Sequence, residues 1–231
     1  MIRIQNIISL FIKQAKDVTK NIPVLVLFII YPCISLIMIQ AMQKEVDMGT
    51  LFLSIFATMH SVFTPIVTTA SIISEEKEKN TLRVLIMSNV TLKEYFFSIG
   101  GFVLTATVIT GSFFLFMLEQ TLEKSLLFLL FLSIGSVISI ILGMCIGLYS
   151  KNTSAANGLA VPFGMLFAFM PMLSSFNKSI EMVSKFTYGQ QISYLLEGEK
   201  ATPLGIIILL INVVVFSLLA ALLYRRSLSE E

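Results

Sequence analysis

The chain of 231 residues contains no tryptophan, one histidine and two cysteines. Cys33 and Cys145 both fall in apolar stretches, so neither a disulfide framework nor a thiolate metal cluster is available. A single histidine cannot supply a pair of zinc ligands. These scarcities argue against redox chemistry and against zinc hydrolysis.

Charged side chains are also scarce. They make up 13% of the residues, whereas hydrophobic residues make up 56% and the mean hydropathy is +0.89. Globular domains carry roughly a quarter charged residues, so this composition indicates a chain that is solvated by lipid. The net charge of +2 is too small to indicate a nucleic-acid partner.

The charged residues leave six windows that contain no Lys, Arg, Asp or Glu. Crossing the hydrocarbon layer takes roughly 20 apolar residues in a helix, and each window reaches about that length. Strands of a membrane barrel would be about half as long and would alternate in polarity. The sequence therefore predicts an all-α polytopic membrane protein with six transmembrane helices. The windows are Ile22–Met42, Thr50–Ile73, Phe96–Leu118, Ser125–Tyr149, Ala155–Phe176 and Pro203–Tyr224.

The cations are distributed unevenly between the two sides of these windows. Short cytoplasmic loops are enriched in Lys and Arg, and the side that includes the N-terminus holds eleven of them against five on the other. Both termini are therefore predicted to be cytoplasmic, with 225–231 as a cytoplasmic tail. The eleven are Arg3, Lys13, Lys16, Lys20, Lys77, Lys79, Arg83, Lys93, Lys151, Arg225 and Arg226. The five are Lys44, Lys124, Lys178, Lys185 and Lys200.

Residues 1–21 precede the first window and carry an apolar stripe at helical spacing. The pattern predicts an amphipathic helix that lies in the headgroup layer of the membrane. A frayed basic tail is the alternative. The stripe consists of Ile4, Ile7, Ile8, Phe11, Ile12, Ala15 and Val18.

Residues 74–95, between the second and third windows, form a charged segment followed by a short apolar pattern. Glu75 and Lys79 are spaced to pair on a helix that extends past the membrane surface. The apolar residues that follow suit a short helix, and Thr91 with Glu94 fits a capping box at the start of the third span. Such a segment could dock a cytoplasmic partner or could rest on lipid as an interfacial connector.

No sequence motif supplies an energy source or a catalytic centre. The chain has no phosphate-binding Gly-x-x-x-x-Gly-Lys-Ser/Thr loop and no Gly-x-Ser-x-Gly nucleophile elbow. Glu75 and Glu76 are adjacent, but no metal ligand accompanies them. His60 is the only Asp, Glu, His, Lys or Arg side chain inside a window, where a hydrogen bond to a neighbouring span is a more common role than proton transfer. If the chain moves a solute uphill, the energy must come from a separate ATPase.

Glu76-Lys77-Glu78-x-x-Thr81-Leu82, followed by Leu85 and Ser88, resembles the sequence after the second span in type-2 ABC exporter permeases. In that family the pattern is typically Glu-Lys-Glu-x-Gly-Thr-Leu. Asn80 replaces the usual Gly, and Asn tolerates the left-handed backbone nearly as well. Asn89 stands where Pro is common, and the position of Arg83 is often acidic.

The resemblance implies a permease domain over 22–224 whose segment 74–95 couples to a separate ABC ATPase. Two copies of that ATPase would bind ATP and Mg, so the chain itself would carry no cofactor and would not be an enzyme. The expected coupling residues are Glu75, Glu76, Lys77, Glu78, Lys79, Thr81, Leu82, Arg83, Leu85, Ile86 and Ser88.

Six spans make half a pathway in this family, which implies a second copy or a sister permease in a bacterial cytoplasmic membrane. Short re-entrant helices are expected over 177–202 on the external side, with a plain interfacial loop as the alternative. The charge-free spans favour export of a hydrophobic or amphipathic cargo such as an antimicrobial peptide or a drug. A non-transporting immunity or sensor protein, and a channel or proton-coupled carrier that uses His60, are the alternatives.

Overall fold

The computed structural model of the chain describes residues 3–41, 46–88, 90–117 and 121–229. These residues form ten α-helices and one 3₁₀ segment, and they contain no strand. The helices are α1 Ile4–Lys20, α2 Ile22–Ala41, α3 Val46–Glu78, α4 Thr81–Met87, α5 Leu92–Gly111, α6 Leu122–Tyr149, α7 Thr153–Ser174, α8 Lys178–Ser184, α9 Tyr188–Leu196 and α10 Pro203–Ser229. The 3₁₀ segment, Ser112–Met117, continues α5.

The prediction of an all-helical chain with six spans is confirmed. Six of the described helices are long and apolar enough to cross a membrane, namely α2, α3, α5 with its 3₁₀ segment, α6, α7 and α10. Each overlaps one predicted window, although Met42 and Leu118, the predicted ends of two windows, lie outside the described residues. The largest differences are at α3, which begins four residues earlier and ends five residues later than its window, and at α10, which continues past Tyr224.

Helix α3 lies at the centre of the bundle. Every side chain from Leu53 to Ser74 except Phe56 is buried, and α2, α5, α6, α7 and α9 pack around it. Many of these buried residues are Ser or Thr, whose small size permits close helix approach. Several of their hydroxyls also find acceptors within the protein: Thr58 Oγ1 donates to Ser54 O at 2.8 Å, and Thr64 Oγ1 donates to Leu27 O on α2 at 3.0 Å.

Two glycines on α6 bring that helix against α3. A Cβ at Gly143 would lie 2.7 Å from Ile66 O and 2.9 Å from the Thr69 Cβ, and one at Gly147 would lie 2.8 Å from the Ile73 Cβ. The small-xxx-small pattern of residues 143 and 147 therefore marks a tight contact between helix backbones.

The two ends of the bundle differ in structure. At the end of α3 that contains Glu78, α1 and α4 pack beside α5; we call this the α1 end. At the opposite end, α8 and α9 occupy the predicted external segment, and we call this the α9 end. Helix α9 packs between α3, α6, α7 and α10, so residues 177–202 are not a plain loop.

Helix α9 is anchored by a buried tyrosine and a glycine. The Tyr188 hydroxyl lies 3.0 Å from Ser139 Oγ on α6, and its ring lies 5.0 Å from that of Phe167 on α7. A Cβ at Gly189 would lie 2.1 Å from Phe167 O, so only glycine permits α9 to approach α7 this closely.

We expect Gly143→Ala to lower the free energy of unfolding by roughly 1–3 kcal/mol, because the added methyl group would separate α3 from α6. Gly101→Ala on α5 is the matched control, since a Cβ there meets no atom within 4 Å. In an exposed helix this exchange is neutral or stabilising by up to about 1 kcal/mol. Thermal unfolding of the detergent-solubilised variants, followed by circular dichroism, measures both effects. Equal destabilisation by the two substitutions would contradict the proposed contact.

Candidate coupling site

The predicted coupling segment folds as the last turn of α3, a tight turn, α4 and the start of α5. Asn80 has a φ of +56°, so the left-handed turn inferred from Asn in place of Gly is confirmed. The Thr81 hydroxyl donates to Glu76 O at 3.1 Å across this turn. The turn places α4 beside the end of α3 instead of extending it.

Glu76 points inward and binds α1. Its side chain is 9% exposed; Oε1 accepts a hydrogen bond from Gln14 Nε2 at 2.8 Å and forms an ion pair with Lys13. Tyr95 on α5 is also buried and lies against the same carboxylate. A buried carboxylate requires partners of this kind, so Glu76 fixes α1 against α3 and α5.

Lys77 points toward α6. Its Nζ donates to Leu148 O at 2.6 Å and to Ser150 O at 2.7 Å, where the last carbonyls of α6 lack partners within their own helix. A cation at this position also favours the negative end of the helix dipole. Lys77 therefore stabilises the end of α6.

Glu78 makes the complementary contact with α7. Its Oε2 accepts hydrogen bonds from Thr153 N at 2.9 Å and from Thr153 Oγ1 at 2.8 Å, at the N-terminus of that helix. A carboxylate favours the positive end of the helix dipole. Asn152 caps the same helix through Ala155 N at 2.8 Å. Three consecutive charged residues thus bind three different helices.

Glu94 joins α1 to α5 at the other side of this cluster. The capping box that Thr91 and Glu94 predict is present, with Thr91 N donating to Glu94 Oε2 at 2.9 Å. The same carboxylate accepts hydrogen bonds from Arg3 N at 2.5 Å and from Asn6 Nδ2 at 3.1 Å. Its two oxygens therefore satisfy donors at the beginning of both helices.

Helix α4 has one face against the protein and another that is exposed. Leu82 and Leu85 are half-buried and pack on a cluster that includes Val18 and Tyr95. Val84 and Met87 are 59% and 78% exposed, and Ser88 is exposed as well. The side chains of Arg83 and Ile86, and all of Asn89, lie outside the described residues. Among the described side chains of α4, the exposed apolar ones are thus Val84 and Met87, which the sequence pattern did not single out.

Glu75 and Lys79 form the expected i,i+4 pair on the outer side of the α3 end. The hydrogen bond and charge of Glu75 raise the pKa of Lys79, so this lysine stays cationic. Exposed pairs of this kind contribute little to stability. Glu75 and Lys79 therefore belong to the surface, whereas Glu76, Lys77 and Glu78 are bound to other helices.

His60 is fully buried in α3. Its Nε2 lies 3.0 Å from Thr107 O and 3.1 Å from Thr110 Oγ1, both on α5, so it makes the hydrogen bond to a neighbouring span that the sequence favoured. Within the described ranges, no group of three His, Cys, Asp or Glu side chains is arranged to hold a metal ion.

We expect Glu76→Gln to loosen α1, since hydrogen bonds to a charged group contribute about 1.5–3 kcal/mol each. Amide hydrogen exchange over residues 4–20 should accelerate by roughly ten- to hundredfold. Glu75→Gln is the control: it removes an exposed pair worth less than about 1 kcal/mol and should change exchange by less than about fivefold. Lys13→Met should add less in the Glu76→Gln background than alone, because both changes remove one interaction. Equal effects of Glu76→Gln and Glu75→Gln would refute the assignment.

Comparison with known proteins adds no functional assignment to this geometry. No protein-family model matches the chain, and no curated protein matches it. The contacts of residues 75–88 and the helices that they join therefore carry the functional conclusion.

Proposed function

We propose that the chain is the membrane subunit of an ATP-driven exporter similar to the type-2 ABC permeases. The observation that supports this proposal is the three-way connection at the end of α3. Glu76, Lys77 and Glu78 bind α1, α6 and α7, while the adjacent helix α4 exposes Val84 and Met87. A partner that moves α4 would therefore act on α3 and, through contacts within one turn of α3, on α1, α6 and α7.

In this proposal two copies of a separate ATPase bind ATP and Mg and contact α4 from the cytoplasm. Val84 and Met87 provide apolar side chains for a groove on the ATPase, and Glu75 with Lys79 provides charges that fix the orientation. Closure of the ATPase pair shifts α4 relative to α5. The inner contacts of the motif then transmit the shift to the spans.

The α1 end is cytoplasmic in this arrangement, as the cation distribution predicts, and the membrane is a bacterial cytoplasmic membrane. Helix α1 has one buried face, formed by Leu10, Gln14 and Val18. Ile4, Ile8 and Ile12 are exposed beside that face and suit the interfacial layer of the membrane. Helix α1 thus serves as an interfacial helix that binds lipid on one side and the coupling site on the other.

At the opposite, external end, α8 and α9 act as re-entrant helices that close the outer mouth of the pathway. The burial of Tyr188 and Gly189 among the spans supports this role, because an interfacial loop would not need contacts at this depth.

The central helix α3 contains no charged residue between Leu53 and Ser74. A hydrophobic or amphipathic cargo, such as an antimicrobial peptide or a lipophilic drug, fits such a pathway better than a permanently charged solute.

We expect Met87→Asp to weaken binding of the ATPase by at least about tenfold, the loss typical of an apolar contact at an interface centre. Met182→Asp in α8 is the matched control: α8 also has seven residues, and Met182 is 71% exposed at the α9 end. Co-purification with the ABC ATPase that the proposal requires, to be sought among the neighbouring reading frames, measures the effect, and ATP-dependent efflux against a panel of peptides and drugs tests its consequence. Unchanged binding by the Met87 variant, or equal losses in both variants, would contradict docking through α4.

A second copy or a sister permease completes the pathway, and α7 has a face suited to that contact. Ser154, Ala155, Gly158 and Pro162 are exposed on one side of this helix, and a Cβ at Gly158 meets no atom within 4 Å. Small residues of this kind let two helices approach closely in lipid.

We expect Gly158→Leu to weaken self-association at least fivefold, because the side chain would enter the contact between copies. Gly101→Leu on α5 should leave self-association unchanged, since Gly101 has equal space around it and lies on a different helix. Energy transfer between labelled copies in vesicles measures both. If neither Gly158→Leu nor Gly101→Leu changes self-association, the proposed dimer contact through α7 is contradicted.

A further inference from the structure

A groove runs between α2 and the end of the third span. It encloses about 680 Å³, which is within the range of roughly 300–1,000 Å³ that is usual for ligand sites. Its wall on α2 is formed by Ile29, Cys33, Leu36 and Gln40, which recur every three or four residues and therefore lie on one helix face. The groove lies in the half of the bundle toward the α9 end.

The opposite wall lies where the third span changes from α-helix to 3₁₀ geometry after Gly111. A 3₁₀ helix has three residues per turn, so residues three apart lie directly above one another. Phe113 and Phe116 have this spacing, and their ring centroids are 6.1 Å apart. Both are exposed, at 55% and 86%, and both line the groove. In a continued α-helix the two side chains would be offset by about 60° around the helix axis, although still on one face.

The polarity of the lining has a direction. Gln40 and Thr110 are the only lining residues whose side chains carry oxygen or nitrogen. The Thr110 hydroxyl already donates its hydrogen to Ala106 O at 2.8 Å, so this hydrogen is not available to a ligand in the groove. Gln40 is exposed at the end of α2 and makes no side-chain hydrogen bond to the described part of the chain. The groove is thus apolar along its length and polar at its outer end.

The length of the groove matches one leaflet of a membrane. Ile29 and Gln40 are eleven residues apart, which corresponds to about 16 Å at 1.5 Å per residue. This is about half of the ~30 Å hydrocarbon layer. The ester region of a phospholipid carries acceptors for the Gln40 amide at the outer end of the groove.

We propose that this groove binds one acyl chain of a membrane phospholipid from the leaflet at the α9 end. The chain lies between the Ile29–Leu36 face of α2 and the two phenylalanine rings, with its end toward Phe28. The glycerol ester region lies at Gln40 and accepts hydrogen bonds from the amide. The bound lipid holds α2 against the third span, and its binding does not depend on an ATPase.

The absence of tryptophan makes a direct test possible. Phe116→Trp places a single fluorophore in the groove, and Ile207→Trp places one near the same end of α10, on a side chain that is 52% exposed. The variants are titrated in detergent with a phosphatidylcholine that carries brominated acyl chains, which quench tryptophan on contact. At one brominated lipid per chain, we expect Trp fluorescence in the Phe116 variant to be quenched at least threefold more than in the Ile207 variant. Phe113→Trp is a second reporter in the same groove, in case the first variant does not fold.

A comparison with 1-bromohexadecane separates the phospholipid from a general apolar ligand. The phospholipid should reach half-maximal quenching in the groove at a concentration at least threefold lower, because Gln40 binds its ester region. Equal quenching at both tryptophans would overturn the site, and tighter binding of bromohexadecane would overturn its assignment to phospholipid. In vesicles, quenching confined to the Ile207 variant would instead indicate that a second copy covers the groove, which also overturns the proposal.

Discussion

The burial of one carboxylate organises the α1 end of this protein. Glu76 is buried near the end of α3, and a buried charge requires both a counter-ion and hydrogen-bond donors. Lys13 and Gln14 supply them from α1, sixty-three and sixty-two residues away in the sequence. Because α1 is held there, Glu94 can accept donors from the beginning of α1 and of α5 at once. The position of α1 against α3 therefore depends on that contact.

The central helix is the element through which this arrangement extends across the bundle. Its buried Ser and Thr residues and the glycines of α6 allow neighbouring backbones to come close, so α3 and α6 fit with little free volume. The next residues of α3, Lys77 and Glu78, then bind the end of α6 and the beginning of α7. A displacement at this end therefore cannot remain local to α4, since the same helix that carries the charged motif is packed against most of the spans.

Local features of the sequence predicted much of this structure, but the sequence did not predict which residues far apart in the chain make contact. The six spans followed from the positions of the charged residues, the turn at Asn80 from its tolerance of positive φ, and the cap of α5 from Thr91 and Glu94. The partners of Glu76, Lys77 and Glu78 depend on how α1, α6 and α7 are arranged, and no periodicity encodes that arrangement. Helix α4 is too short for its pattern to fix which face is buried. The predicted apolar residues Leu82 and Leu85 turned toward α1 and α5, and Val84 and Met87 were left outside.

This division of faces would let one short segment serve the fold and the proposed partner at the same time. Residues 76–78 are hydrogen-bonded within the chain, so they cannot also bind a second protein without breaking internal contacts. The exposed side chains of α4 make no such internal contacts, so a partner can bind them without destabilising the fold. The left-handed backbone at Asn80 separates the two roles, because it ends α3 after Glu78 and lets α4 pack beside it. A continuous helix through this point would carry Leu82 and Leu85 away from α1 and α5, and the proposed coupling would then lose the link between the exposed face of α4 and the inner contacts of residues 76–78.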